Sequence, residues 1–274
     1  MALVAKDLGY TYSTGAPYES RALTGVDLRL EKGELCLVVG STGSGKSTLL
    51  RLMSGLLEPG VGSVRVDDAE SVVRGSVGIV FQNPETQFFA ETVSADVAFG
   101  PKNLGFSDVD TAVSDAMLAV GLEPVEFGER SPFTLSGGEA RRAAIAGVLA
   151  MRPAYLLLDE PTAGLDRRGR EVVVRALLEA RLKAGVLLVT HDPGVFLAHA
   201  DRVLVLAAGQ PVFYGNVTDL LEDDGAPFDV AGLVLPDVVR AQVLARSRGA
   251  RIARFAFDAT DAARTLAGAL GGPS

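Results

Sequence analysis

Residues 40–48 read GSTGSGKST, which matches the pattern G-x-x-x-x-G-K-[ST]. In this pattern, glycines let the backbone curl so that successive N–H groups point at phosphate oxygens. The apolar run ELCLVV precedes these residues and the apolar segment LLRLMSG follows them, as a strand–loop–helix phosphate site requires. The predicted phosphate-binding residues are Gly40, Ser41, Thr42, Gly43, Ser44, Gly45, Lys46, Ser47 and Thr48.

Two of these residues have specific expected roles. Lys46 would reach the β- and γ-phosphates of a nucleoside triphosphate, and the Ser47 hydroxyl would ligate Mg²⁺. The alternative is a Gly/Ser-rich linker that matches by chance, which happens in about one chain of this size in a hundred. The apolar segments on both sides argue for the phosphate site.

A second candidate is the acidic pair in AYLLLDEPTAGLD. Four apolar residues place Asp159 at the carboxyl end of a buried strand, where open α/β sheets bind ligands. Asp159 would hold Mg²⁺, and Glu160 would polarise the attacking water. Two adjacent acids also begin many solvated loops, so this interpretation depends on the phosphate loop.

His191 follows another apolar run, in VLLVTHD. A lone histidine at a strand end is more often structural than catalytic. Here the strand is predicted to share a sheet with the phosphate loop, so His191 could contact a γ-phosphate.

Short apolar runs alternate along the chain with segments in which apolar residues recur at helical spacing, and this alternation predicts an α/β fold. Runs such as LCLVV, YLLLD and VLLVT are apolar at every position, as expected of strands buried on both faces. A mostly helical insertion is predicted at about 82–150. The expected strands are residues 26–30, 34–39, 64–66, 76–81, 155–158, 186–190 and 203–206.

Composition narrows the class of protein. The net charge of −8 argues against a nucleic-acid partner, which usually leaves a basic footprint. No run of about 18 apolar residues could span a bilayer, and the N-terminus lacks the apolar core of a signal peptide. Cys36, the only cysteine, lies in an apolar run, so we expect a buried thiol and a cytosolic location.

The chain divides near residue 224, where DGAP is typical of a joint. Beyond it lie six Lys+Arg and four Asp+Glu, against 20 and 30 before it. We predict a domain over 1–224 and an extension over 225–274, with helices at 236–248 and 258–270.

The motif LSGGEARR, at 135–142, together with the residues above, resembles the ATP-binding cassette (ABC) family over about 3–221. The resemblance implies a P-loop ATPase core with a helical subdomain, ATP and Mg²⁺ as cofactors, and a site split across a dimer. It implies that Ser136, Gly137, Gly138 and Asp166 meet the nucleotide of the opposite subunit. The family usually has Gln after LSGG, and here Glu139 stands in that place.

The same resemblance assigns further residues. Tyr12 matches the aromatic residue that stacks on adenine, and Gln82 the glutamine that touches Mg²⁺ and the attacking water. Glu160, Gln82 and His191 are then the catalytic set, and Ser47, Gln82 and Asp159 the metal ligands.

A narrower likeness lies in FQNPETQFFAETVSADVAFGPKNLG, at 81–105, and in the tail. Both are similar to ATPases of energy-coupling-factor (ECF) importers of vitamins or transition-metal ions. This implies a second ATPase, a transmembrane scaffold and a membrane substrate-binding subunit as partners, with the chain at the cytoplasmic face of the membrane. The tail would add dimer contact.

Some alternatives stay open at this stage. Phe88 and Phe89 either line a groove for a membrane partner or pack in the local core. An ATPase of a conventional ABC transporter shares the core motifs, and a soluble non-transport ABC protein is a further alternative. A small-molecule kinase would leave LSGGEARR unexplained.

Overall fold

The computed structural model describes residues 1–66, 72 and 75–270. The last four residues of the predicted extension, 271–274, lie outside these ranges. None of the helices within the described ranges has the length and apolar content that a bilayer span needs.

A central sheet of six strands carries the core. Its strands, in spatial order, are β5 (Val77–Val80), β6 (Tyr155–Asp159), β7 (Gly185–Val189), β3 (Leu35–Gly40), β8 (Arg202–Ala207) and β9 (Gln210–Gly215). The first five are parallel, and β9 runs antiparallel to β8. Every residue of β3, β6 and β7 is buried, because both faces of the sheet are covered, as their unbroken apolar runs predicted.

A second sheet of three antiparallel strands packs against the first, with the order β2 (Ser20–Glu31), β1 (Ala2–Tyr12) and β4 (Val61–Val66). The sequence analysis did not predict β1. Its pairing shifts register between Ala5 and Leu8 and again between Leu8 and Tyr10, and Asp7 has a φ of 47°. These irregularities break the alternation of apolar and polar residues by which a strand is recognised in sequence.

β9 was also not predicted. It pairs with β8 through a tight turn in which Ala208 and Gly209 both have positive φ, the geometry that hairpin turns favour. Pro211 near its start obscures the strand in the sequence, since proline is confined to edge strands and strand beginnings.

Helices cover both sheets and form a separate subdomain. Two of them, α1 (Lys46–Met53) and α6 (Arg167–Arg181), contact the central sheet. Four helices lie between β5 and β6 in the chain, and together they make the helical subdomain expected of the fold. These are α2 (Val93–Asn103), α3 (Val109–Ala119), α4 (Pro124–Phe127) and α5 (Gly137–Ala150).

Four further helices follow β9, namely α7 (Val217–Glu222), α8 (Ala226–Val230), α9 (Asp237–Ser247) and α10 (Ala259–Leu270). The helices predicted at 236–248 and 258–270 correspond to α9 and α10, and α8 was not predicted. Gln242 of α9 is fully buried, and its amide bonds the Val238 carbonyl and both backbone groups of Ala256. These bonds fix the chain between α9 and α10 against α9.

The core has two halves, one on each face of the central sheet. Leu35 and Leu37 point into the half shared with the helical subdomain and with Phe228 of α8. Cys36 and Val38 point into the half shared with α1 and the small sheet. This alternation follows from the two-residue period of a strand, and burial raises the pKa of the Cys36 thiol well above its usual range.

Candidate functional site

The loop after β3 has the geometry of a phosphate cradle. Gly45 caps α1 with a φ of 98°, and Gly43 has a φ of 80°. A side chain at Gly45 would collide with the Ala22 carbonyl, because a Cβ there would lie 2.5 Å from its oxygen. The glycines thus bring the loop close to β2 while the first N–H groups of α1 face outward, which favours an anion.

Lys46 is buried across this loop. Its Nζ donates to the carbonyl oxygens of Gly40, at 2.7 Å, and Ser41, at 2.9 Å. Burial lowers the pKa of Lys46, and the nearby carboxylates of Glu160 and Asp159 oppose that shift. The ammonium group is therefore held next to the acidic pair rather than in bulk water.

Asp159 and Ser47 meet directly. The Ser47 hydroxyl donates to Asp159 Oδ2 at 2.7 Å, although the two residues are 112 positions apart. A hydroxyl and a carboxylate are the oxygen ligands that Mg²⁺ prefers, and this ion usually keeps several waters, so few protein ligands suffice. The donor set fits Mg²⁺; within residues 1–66, 72 and 75–270 no cluster of three His, Cys, Asp or Glu side chains offers another metal site.

Glu160 is buried with an unusual backbone. Its φ is 54°, and its Oε1 has no hydrogen-bond partner in the described part of the chain. His191 Nε2 lies 3.4 Å from that oxygen, too poorly aligned for a hydrogen bond, and the imidazole is about half exposed. Burial raises the pKa of Glu160, although His191 works in the other direction. A buried carboxylate with raised pKa at the edge of a phosphate site is suited to accept a proton from water.

Tyr12 reaches the loop from the small sheet. Its hydroxyl lies 3.3 Å from Thr48 Oγ1, and its ring packs edge-on against Tyr10, with the centroids 4.8 Å apart. Tyr12, Arg21 and the loop residues line one pocket of about 280 Å³. Sequence reasoning missed Arg21, whose only signal is a positive charge a few residues before the strand predicted at 26–30.

Gln82 lies just beyond β5, with its side chain exposed. Its backbone carbonyl accepts a hydrogen bond from Arg141 of α5 at 2.7 Å. The same guanidinium donates to the Glu160 carbonyl at 2.5 Å. Arg141 is the second residue that the sequence analysis missed, although it quoted LSGGEARR.

The start of α5 is exposed and capped. Ser136 is the N-cap, and its hydroxyl accepts from the Glu139 N–H at 3.4 Å while the Glu139 carboxylate accepts from the Ser136 N–H at 2.7 Å. Glu139 thus completes a capping box, and these bonds hold the pKa of its carboxyl below the usual value. In the described part of one chain, no hydrogen bond joins Ser136, Gly137 or Gly138 to residues 40–48.

Asp166 caps α6, accepting from the Gly169 N–H at 2.7 Å. Four predicted residues from outside the phosphate loop therefore lie beside it or beside one another in one chain, whereas in the described residues no hydrogen bond joins the α5 start or Asp166 to them. These four residues are Tyr12, Asp159, Glu160 and His191.

Comparison with known proteins shows the family to which the chain belongs. A family model described as "ABC transporter" matches residues 23–163, just over half of the chain. This chain belongs to the ABC transporter family. The ATP-binding protein EcfA2 of the energy-coupling factor transporter from Clostridium acetobutylicum is 40% identical over 269 residues, 94% of each chain. EcfA2 from Symbiobacterium thermophilum is 41% identical over 283 aligned positions, covering 99% of this chain and 98% of that one.

Solved structures give the same result. CbiO1 of Clostridium perfringens, described as part of the ABC transporter complex cbiONQ, is 32% identical with a TM-score of 0.70, covering 88% of this chain and 98% of its own. The cassette MJ0796, described as a dimer in a post-hydrolysis state bound to ADP and Pi, is 27% identical with a TM-score of 0.69, over 79% and 99%. The prediction of an ECF-type ATPase subunit coupled to transport is confirmed.

The two loop glycines allow a graded test of the phosphate cradle. In Gly43→Ala the new Cβ meets open space, so only the left-handed backbone opposes it, at about 1–2 kcal/mol. Gly45→Ala adds the clash with Ala22 and with Leu23 Cδ2 at 2.6 Å. We expect Gly45→Ala to lower ATP affinity at least about tenfold more than Gly43→Ala, as measured by calorimetric titration. Equal affinities in two folded variants would contradict the cradle.

Proposed function

We propose that two copies of this cassette, or one copy and a close relative, close around two ATP molecules and reopen on hydrolysis. The observation that carries this proposal is the Ser47–Asp159 hydrogen bond, with Lys46 and Glu160 beside it. These groups bring a phosphate cradle, a metal-ligand pair and a buried base to one sheet edge. The dimeric, ADP-bound relative MJ0796 supports the closed arrangement.

Each group has a part in γ-phosphoryl transfer to water. Lys46 and the α1 N–H groups stabilise the phosphate charge, and Glu160 takes the proton of the attacking water. His191 lies against Glu160 and braces the γ-phosphate, while Gln82 orients the water. Tyr12 stacks on the adenine.

Mg²⁺ would be held by Ser47, Asp159 and Gln82. When bound, it neutralises charge on the β- and γ-phosphates. The Ser47–Asp159 pair is within hydrogen-bonding distance already, so both oxygens are positioned for a common cation.

The other half of the site comes from the partner. Gly137 and Gly138 present N–H groups and Ser136 presents its hydroxyl at the exposed start of α5, where the helix dipole favours an anion. The partner's α5 start and Asp166 would therefore seal the γ-phosphate from the far side. In the cap the Ser136 hydroxyl accepts from the Glu139 N–H, so its own proton is left to donate to a phosphate oxygen.

The membrane partners are a transmembrane scaffold and a substrate-binding subunit, with vitamins or transition-metal ions as cargo. The likeness to ECF ATP-binding proteins supports these partners and a position of the chain at the cytoplasmic face of the membrane. Phe88 is buried in the core, so the core-packing alternative applies to it. Phe89 and Phe99 are 61% and 52% exposed and pack edge-on with centroids 4.7 Å apart, which suits a contact with a scaffold helix.

Residues 225–274 remain a predicted second unit and dimer contact. Val230 and Val234 are large apolar side chains that stay exposed there, while Phe228 packs into the core. Two exposed valines beside a buried anchor would suit a contact between two copies of the extension.

Glu160→Gln tests the ATPase proposal. The amide cannot accept a proton, so turnover should fall at least about 100-fold while ATP affinity changes little. Because burial raises the pKa of Glu160, wild-type turnover should decline as pH falls through a range above the usual glutamate value, and the variant should lack that decline. Glu126→Gln, at an exposed position, is the control. Undiminished turnover in Glu160→Gln would refute the assignment of the base.

Phe89→Asp tests the scaffold contact. A carboxylate on this surface should reduce the recovery of membrane proteins that co-purify with the tagged chain from detergent-solubilised membranes. Leu182→Asp changes an even more exposed apolar residue, at the end of α6, and should leave recovery unchanged. Equal recovery for both variants would exclude Phe89 from the contact.

The double substitution Val230→Asp, Val234→Asp tests the extension. It should weaken self-association in sedimentation equilibrium by at least about tenfold, since buried like charges repel. Val125→Asp, at a fully exposed position in α4, is the matched control. Unchanged association would rule these valines out as the dimer contact.

A further inference from the structure

Arg141 joins two parts of the proposed catalytic site, and in the described residues no hydrogen bond links its side chain to the phosphate loop. One guanidinium nitrogen donates to the Glu160 carbonyl at 2.5 Å, and the other terminal nitrogen donates to the Gln82 carbonyl at 2.7 Å. These acceptors lie 19 and 59 positions away in the chain. Both belong to residues that the proposed function places in the reaction.

The strand register explains how one side chain reaches both carbonyls. β5 and β6 are parallel neighbours in which Val80 pairs with Leu158. Gln82 and Glu160 each follow that pair by two residues, so they leave the sheet side by side. The planar guanidinium presents its donors in a rigid fork, which suits two acceptors at once.

The backbone of Glu160 needs such support. A φ of 54° is a left-handed conformation that non-glycine residues hold only when surrounding contacts impose it. The Glu160 N–H donates to the Val189 carbonyl at 2.9 Å. On the other side, the Glu160 carbonyl accepts from Arg141 and from the Ala163 N–H at 3.2 Å. Arg141 is therefore the one side chain in the described part of the chain that fixes this peptide by a hydrogen bond.

We propose that Arg141 is a positioning residue, which holds the Glu160 carboxylate and the Gln82 segment in one arrangement for attack by water. This inference rests on the proposed function. Arg141 lies in α5, whose start carries Ser136, so the helix that serves the neighbouring subunit's nucleotide also supports this subunit's own base.

Arg141→Ala and Arg141→Lys test the inference by steady-state ATPase kinetics and ATP titration. A shift of the base by about 1 Å lowers a rate by about 100-fold, so kcat of Arg141→Ala should fall between about tenfold and 100-fold. ATP affinity should stay within about threefold, since Arg141 does not contact the loop. Arg141→Lys, with a single ammonium, should keep more activity than Arg141→Ala.

Arg181→Ala is the matched control. Arg181 of α6 also donates to two backbone carbonyls, those of Gly33 and His199, and to Asp201. Gly33 and Asp201 precede β3 and β8, so this arginine lies at the opposite edge of the sheet. Its loss should lower the melting temperature and leave kcat unchanged. If kcat falls by the same factor in Arg141→Ala and Arg181→Ala, and the two variants are equally stable, the positioning role is overturned.

A double variant separates positioning from stability. If Arg141 acts through the Glu160 carboxylate, Arg141→Ala should add no further loss to Glu160→Gln. If Arg141→Ala lowers the rate by the same factor in the wild-type chain and in Glu160→Gln, Arg141 does not act through the Glu160 carboxylate and the inference is overturned. Wild-type turnover in Glu160→Gln would refute the proposed role of Glu160 as the base, on which this inference rests, whereas loss there with full activity in Arg141→Ala refutes only the role of Arg141.

Discussion

Parallel strands of the central sheet end at one edge, and every part of the site depends on that. β3 leads into the phosphate loop, β6 ends in Asp159 and Glu160, and β7 is followed by Thr190 and His191. Because these strands are hydrogen-bonded neighbours, residues far apart in the chain leave the sheet within contact distance. The Ser47–Asp159 bond is the direct result. Burial of the strands on both faces then makes the edge rigid.

Charges at this edge are balanced in a low-dielectric setting. Burial opposes ionisation of both Lys46 and Glu160, so the pKa of the lysine is lowered and that of the glutamate raised. The carboxylates of Glu160 and Asp159 partly offset the lowering of the Lys46 pKa by burial. Under the proposed function, a bound triphosphate would bring further negative charge to Lys46, and a water beside Glu160 would meet a carboxylate whose raised pKa suits it to take a proton. The same burial that stabilises the fold therefore prepares the two groups for their chemistry.

Surfaces away from these strand ends are the ones that the proposed function assigns to association. The start of α5 is exposed, and in the described residues no hydrogen bond joins it to the phosphate loop of its own chain, which agrees with a role toward a neighbouring chain. The exposed Phe89–Phe99 pair lies in the segment that follows Gln82, so under the proposed function a contact there with a membrane partner would be only a few residues from that glutamine. Arg141 connects Gln82 in turn with Glu160.

Local patterns were enough to determine the fold class and to nominate most of the candidate site residues. The phosphate loop, the acidic pair after YLLLD and the helix start at Ser136 each depend on a few consecutive residues, whose burial and helical signals are visible in sequence. Only the tertiary structure brought Tyr12 to Thr48, put Phe88 in the core and Phe89 at the surface, and set Arg141 across two strand ends. It also showed β1 and β9, whose bulges and turn hide the strand pattern. These features depend on strand register and on packing between distant segments, which no single segment specifies by itself.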